Sequence, residues 1–256
     1  MDYQLADNAS LKTIAFRIND NYKMVDFYKN IVGLTLKSEE NGLSIFGSSK
    51  EKTQVLILEE AETFTHSNVH FSVHIYSEEE WLAIVQRFSE HGYPIEKSME
   101  DEKQKSIFIT DPEMNEIEFY FLKEAADASE EQQEILAFQE EEETGNVVQV
   151  SLNTVDAQLS KTFYEEVLGL KDIGEKMLSL GSQNVVFQLL ENEPLEGRAD
   201  LGWNFFVVDL DGKEEIEKLM YHLEQKKQDF FIDNKRSILT VFDINGIEWW
   251  FTKSKV

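Results

Sequence analysis

Phe27-Tyr28-Lys29-Asn30-Ile31-Val32-Gly33-Leu34 reads FYKNIVGL, and Phe163-Tyr164-Glu165-Glu166-Val167-Leu168-Gly169-Leu170 reads FYEEVLGL. An aromatic pair, an apolar step and a closing Gly-Leu thus occur twice in one chain. Ordered self-similarity is the mark of a duplicated structural unit. Working outward, Ser44-Ile45-Phe46-Gly47-Ser48 is echoed by Ser179-Leu180-Gly181-Ser182, and Val55-Leu56-Ile57-Leu58-Glu59 by Val186-Phe187-Gln188-Leu189-Leu190-Glu191. Asn115-Glu116-Ile117-Glu118-Phe119-Tyr120-Phe121 returns as Asn245-Gly246-Ile247-Glu248-Trp249-Trp250-Phe251. The echoes keep their order.

Each copy reads alike. Strands are expected at residues 11–19 and 147–153. A helix follows, with Asp20 or Asn21 as N-cap in the first copy, and Gly33 or Gly169 closes it in the left-handed conformation. Short strands follow at residues 43–46 and 54–58. The pattern then restarts with a strand at 70–76, an amphipathic helix at 78–90 closed by His91-Gly92, and strands at 106–110 and 116–121. The second copy supplies 203–208, a helix at 213–225, 237–241 and 247–251. The expected fold is α+β: tandem domains at residues 1–122 and 146–256, each a pair of βαβββ modules, four in all. Residues 123–145, acidic and poor in large apolar groups, read as a solvated linker. Ile135, Leu136 and Phe138 within it have the character to dock one turn of helix.

The 256 residues carry 50 acids against 24 bases, a formal net charge of -26. Such a field repels nucleic acid and anionic membrane, and neither is an expected partner. With 41% hydrophobic residues, 18 Phe, 8 Tyr and 4 Trp, packed cores are in reach. The absence of cysteine excludes disulfides, thiol catalysis and Cys-based zinc sites. No apolar run is long enough to span a bilayer. MDYQLADNAS has neither the basic nor the apolar region of a secretory signal, so a cytoplasmic location is expected, export by another route being left open.

Repeated βαβββ modules with Ile18-Asn19-Asp20, Phe27-Tyr28, Gly33-Leu34 and Asp111-Pro112-Glu113-Met114-Asn115-Glu116-Ile117-Glu118 resemble the glyoxalase/bleomycin-resistance/dioxygenase superfamily, the vicinal oxygen chelate proteins. The doubled arrangement with its acidic linker also resembles the CppA family of streptococci, whose members are labelled C3-glycoprotein-degrading proteinases. The first resemblance implies a divalent metal (Zn, Mn, Fe or Ni) held in a cup of curled sheet. Its ligands would be His or Gln on the first strand of one module, His on the first strand of the next, and Glu on that module's last strand. The second implies complement C3 as a partner.

Strand alternation places candidates. In TIAFRI, Ile14, Phe16 and Ile18 pack under the helix, and Thr13, Ala15 and Arg17 face the cup. In HFSVHIY, His70, Ser72 and His74 face it; in IEFYF, Glu118 and Tyr120 do. On the family pattern, Thr13, His70 and Glu118 fall at the three ligand positions of an N-terminal cup, with His70 and Glu118 the expected metal ligands. Thr13 is a poor donor. In the second half the positions fall at Gln149, near Gly202-Trp203, and at Glu248, so that cup is expected to lack a full donor set. Arg17 would pair with Glu118 or a bound anion. Tyr120 and Trp250 line pockets, and Gln149, Ser151, Asn153 and Asn204 make the second cup polar.

A proteinase needs a nucleophile, an activated water or paired carboxylates. Neither G-x-S-x-G nor H-E-x-x-H is present, and the histidines are His66, His70, His74, His91 and His222. Three readings stay open: a module binding small molecules or protein with degenerate metal sites, a metal-dependent enzyme using the N-terminal cup, and the proteinase. Two fused halves imitating a family dimer make a monomer the expected state.

Overall fold

The computed structural model describes residues 3–47, 54–61, 68–123, 146–181, 185–191 and 202–253. The expected linker beyond Lys123, its apolar group Ile135, Leu136 and Phe138, and His66 lie outside them.

In the first module β1 (Ser10–Ile18) leads into α1 (Asn21–Asp26) and a π-helical turn (Phe27–Val32), then β2 (Thr35–Glu40), β3 (Leu43–Gly47) and β4 (Gln54–Glu60). Asp20 caps α1, its carboxylate accepting from the Lys23 amide. Gly33 closes the turn at φ 94°, and a Cβ there would meet the Arg87 guanidinium at 2.7 Å. The second module holds β5 (His70–Ile75), α2 (Glu78–Glu90), β6 (Lys97–Glu100), β7 (Gln104–Thr110) and β8 (Glu116–Leu122). In α2, Ser77 caps the first turn, which carries Glu78, Glu79 and Glu80, and the buried stripe is Trp81, Ile84 and Phe88. The third comprises β9 (Asn146–Thr154), α3 (Ala157–Glu166), β10 (Lys171–Gly174), β11 (Met177–Leu180) and β12 (Val185–Glu191). The fourth comprises β13 (Trp203–Leu210), α4 (Lys213–Lys226), β14 (Phe231–Ile232), β15 (Ile238–Phe242) and β16 (Glu248–Lys253). Four βαβββ modules are present, as the repeat implies. No helix among the described residues is long and apolar enough to cross a membrane.

The modules combine across the halves. One eight-stranded sheet runs β14-β15-β16-β13-β1-β4-β3-β2, joining the fourth module to the first. The other runs β10-β11-β12-β9-β5-β8-β7-β6, joining the third to the second. The seams are antiparallel: β1 on β13, with Ala15 opposite Phe205, and β5 on β9, with Ser72 opposite Gln149. The expectation that each half closes its own cup is therefore corrected. A strand's alternation says which face is buried, not which strand lies beside it.

The halves are nonetheless tied on the helical side, where one apolar core includes Ile14, Phe16, Phe71, Phe119, Val150, Phe187, Trp203 and Trp249. The family motifs are its polar fastenings. The Tyr28 hydroxyl donates to Asp111 Oδ2 at 3.1 Å, and Asn115 Nδ2 donates to the same oxygen at 2.8 Å. The backbone amides of Asn19 and Asp20 donate to Glu113 Oε1 at 2.7 and 2.8 Å. In the second half Tyr164 and Trp249 both donate to Asp243 Oδ2, at 2.7 and 3.0 Å. Burial, reinforced by these carboxylates, pushes both tyrosine hydroxyls well above their ordinary range. Tyr28, Asp111, Glu113 and Asn115 of these motifs thus fasten module to module, while Glu118, at the end of the same stretch, takes the open face of its sheet.

Candidate functional site

The helices cover one face of each sheet, and the side chains of the other faces make two unlike surfaces. On β5, β8 and β9 the register sets Gln149, Ser72 and Glu118 level, flanked by Val186 and Phe108. The Ser72 hydroxyl donates to Glu118 Oε2 at 2.7 Å, and Gln149 Nε2 donates to Gln188 Oε1 at 3.1 Å. The next level holds Ser151, His70 and Glu116. His70 Nδ1 lies 3.5 Å from Ser151 Oγ and 3.8 Å from Glu116 Oε2. In the opposite direction His74 is level with Tyr120, and their rings stack at 4.7 Å and 9°. Tyr76 meets the His74 ring edge-on at 4.6 Å. Burial pulls His74 down to about 4, so its imidazole is neutral at pH 7. Desolvation raises Tyr120 above its ordinary range.

The first sheet is different. Ala15, Phe205 and Glu248 are level, with Ile57 beyond Ala15. Ala15, Ile57 and Phe205 are buried in a small apolar cluster separate from the main core, with Leu43, Ile45, Val207 and Trp250 packed around them half-buried. The Phe205 and Trp250 rings stack at 4.6 Å and 7°. Trp250 Nε1 donates to Glu248 Oε2 at 2.7 Å. At one end Arg17 Nη2 donates to Asn204 Oδ1 at 2.8 Å and Arg17 Nε stands 4.0 Å from Glu59, to which Asn204 Nδ2 also donates. A bulge in β13 between Phe205 and Trp203 lets Asn204 reach this network while Phe205 keeps its place in the stack.

Several sequence expectations are redistributed. His70, His74, Glu118, Tyr120 and Gln149 share one face. Thr13, Arg17, Asn204, Glu248 and Trp250 share the other, so Arg17 pairs with Asn204 and Glu59 rather than Glu118. Asn153 turns to the Asn68 carbonyl, and Trp203 sits in the core with its Nε1 on the Ser151 carbonyl. Alternation did not single out Phe205, Val207, Ile57 or Gln188 as face residues. WNFFVVDL and QVLILEE are apolar on both faces, and such runs hide which side each residue takes.

The donors do not fit a divalent metal. A family-type site needs imidazole, imidazole or amide, and carboxylate at one level. The row through Glu118 offers Gln149 and Ser72, and the row through Glu248 offers Ala15 and Phe205. His70 stands one side-chain level away from Glu118, with its Nδ1 turned to Ser151 and Glu116. Among the described residues no three His, Asp or Glu side chains converge on a common point. Nor does Ser151 complete a nucleophilic relay. Such a relay needs the two imidazole nitrogens to face different partners, and here both contacts fall on Nδ1.

Residues 10–119 match the model of the glyoxalase/bleomycin resistance protein/dioxygenase superfamily, and residues 145–251 match the CppA C-terminal model. No curated protein matches the chain. Among solved structures, a candidate dioxygenase of Bacillus subtilis superposes with TM-score 0.67 at 11% identity, over 99% of this chain and 87% of that one. The cppA protein of Streptococcus pneumoniae superposes with TM-score 0.60 at 16% identity, over 96% of this chain and all of that one, and Zea mays glyoxalase I with TM-score 0.58 at 13% identity, over 96% and 92%. At these identities the likeness is one of fold.

Proposed function

We propose that this chain, a CppA-like member of the vicinal oxygen chelate superfamily, works as a binding module whose two sheet faces hold organic ligands through their own side chains, without a metal. One observation carries the reading: level with the two candidate carboxylates, Glu118 and Glu248, stand Gln149 and Ser72 on one face and Ala15 and Phe205 on the other. An amide, a hydroxyl, an aromatic ring and one carboxylate on each face suit hydrogen bonding and stacking. They supply no Lewis acid.

The test is a fragment screen on the full chain by heteronuclear NMR, run in EDTA and again with Zn(II), Mn(II), Fe(II) or Ni(II). Binding that perturbs side chains of either face equally under both conditions is the expected result. Binding or turnover that appears only with added metal overturns the reading. The same fold in one chain, with its halves already paired, also leads us to propose a monomer.

A further inference from the structure

We infer that the face formed by β1, β4, β13 and β16 is a binding site for an uncharged, planar, fused-ring molecule with a hydrogen-bonding edge; the inference rests on the metal-free reading above. The apolar cluster there is cut off from the main core by the sheet itself. It extends from Leu43 and Ile45 on β3 to Trp250 on β16, across strands β3, β4, β1, β13 and β16 in turn. At about 4.8 Å per strand the strip is roughly 19 Å wide, and two side-chain levels make it about 7 Å deep. Two or three fused rings fit within that area, and a single ring would leave most of it uncovered.

Flatness follows from the ring pair. Phe205 is buried and Trp250 half-buried, and the two are parallel within 7°. Trp250 is therefore the outer ring of a stack that a flat ligand extends, and stacking of this kind adds to simple burial. The Trp250 indole is fixed by its bond to Glu248, so little side-chain entropy remains to be lost on binding.

Charge selects against ions. Among the described residues, the charged groups around the strip include Arg17, Glu59 and Glu248, one cation against two anions. Arg17 is engaged by Asn204 and faces Glu59. An anion would meet a net negative site in a chain of net charge -26. An organic cation would have to compete with Arg17 for Glu59 and with Trp250 for Glu248. A lactam or amide edge needs only exchange hydrogen bonds with the Arg17–Asn204–Glu59 network.

The probe is 2(1H)-quinolinone, titrated into the full chain with labelled indole nitrogens. Its controls are the fully saturated bicyclic lactam and quinoline-2-carboxylate. Trp81, Trp203 and Trp249 are buried in the main core, so their indole signals report the fold, and Trp250→Phe identifies the fourth signal. The expected result is a saturable shift of the Trp250 signal alone. The flat lactam should bind about two- to tenfold tighter than the saturated one, and the carboxylate more weakly still. Phe205→Leu should erase that preference with the three core indoles unmoved. Equal affinity for flat and saturated lactams, or preference for the carboxylate, overturns the inference. So does a Trp250 shift that follows protein concentration, which would make a second copy the occupant. Fragments that bind in EDTA while perturbing only His74 and Tyr120 overturn this site and leave the metal-free module standing. Metal-dependent binding removes both.

Discussion

Glu118 accepts from Ser72, and Ser72 occupies the level at which an imidazole would be needed beside Gln149 and Glu118. Replacing that one side chain tests the argument from the inside. Ser72→His should give the chain a measurable affinity for Zn(II) or Ni(II) by calorimetry, abolished by a second change, Glu118→Gln. A Ser72→His protein that folds and gains nothing would contradict the alignment of residue 72 with Gln149 and Glu118. His74 makes a second prediction. Its imidazole titrates at about 4 in the folded protein because burial disfavours the cation, while an unfolded histidine protonates near 6.5. As pH falls through 6.5 the unfolded chain takes up the proton first, so His74 makes stability decline from pH 6.5 to about 4. Below about 4 both forms are protonated and its contribution is flat. In urea titrations across this range, His74→Gln should show a shallower decline than the parent protein. Parallel profiles would mean that the ring is hydrated and carries no such penalty.

Among elements, much was readable. The helix Glu78–Glu90 follows from its Ser77 cap, its acidic first turn and the spacing of Trp81, Ile84 and Phe88. Alternation in TIAFRI and HFSVHIY assigns Ile14, Phe16, Phe71 and Ile75 to the core and Thr13, Arg17, His70 and His74 to the other face. What stayed hidden has physical causes. The seams β1–β13 and β5–β9 depend on which strand finds which, and no period encodes that. The ladder registers, which no strand period encodes, put Ala15 rather than Thr13 level with Glu248 through Phe205, and Ser72 rather than His70 level with Glu118. The edge strands β2, β6, β10 and β14 are short or charged and give little pattern. The motifs serve as a signature, yet the work of Tyr28, Asp111, Glu113 and Asn115 is to bolt elements together. Tyr28→Phe leaves Asp111 with one donor fewer in a buried setting and should cost about 1–3 kcal/mol by urea denaturation. Because burial holds the Tyr28 and Tyr164 hydroxyls well above their unfolded range, the stability they confer is complete below pH about 10. It is lost as pH rises beyond that value, and Tyr28→Phe should unfold less steeply in alkali. An unchanged midpoint and an unchanged alkaline slope would take the hydroxyl out of the account.

At the scale of the whole molecule, sheet pairing and core packing run in different directions. Each sheet joins one module from either half, while buried Tyr–Asp bonds join the modules within a half. Neither half can part from the other without exposing two unpaired sheet seams, β1 and β5 in one and β9 and β13 in the other. A protease site introduced between residues 124 and 145 should therefore yield two fragments that elute together and separate only in denaturant. Fragments that part in plain buffer and each remain folded would contradict the crossed arrangement. The same crossing creates two faces with different chemistry, amides with His74, Tyr120 and Glu118 on one, and stacked rings over an apolar strip on the other. The central claim is that neither face binds through a metal. It is tested most directly by elemental mass spectrometry of the untagged chain after exposure to Zn(II), Mn(II), Fe(II) and Ni(II) and removal of excess, beside a His70→Ala, Glu118→Gln control. The account predicts no stoichiometric metal in either sample. One equivalent retained by the parent chain and lost from the control would contradict it.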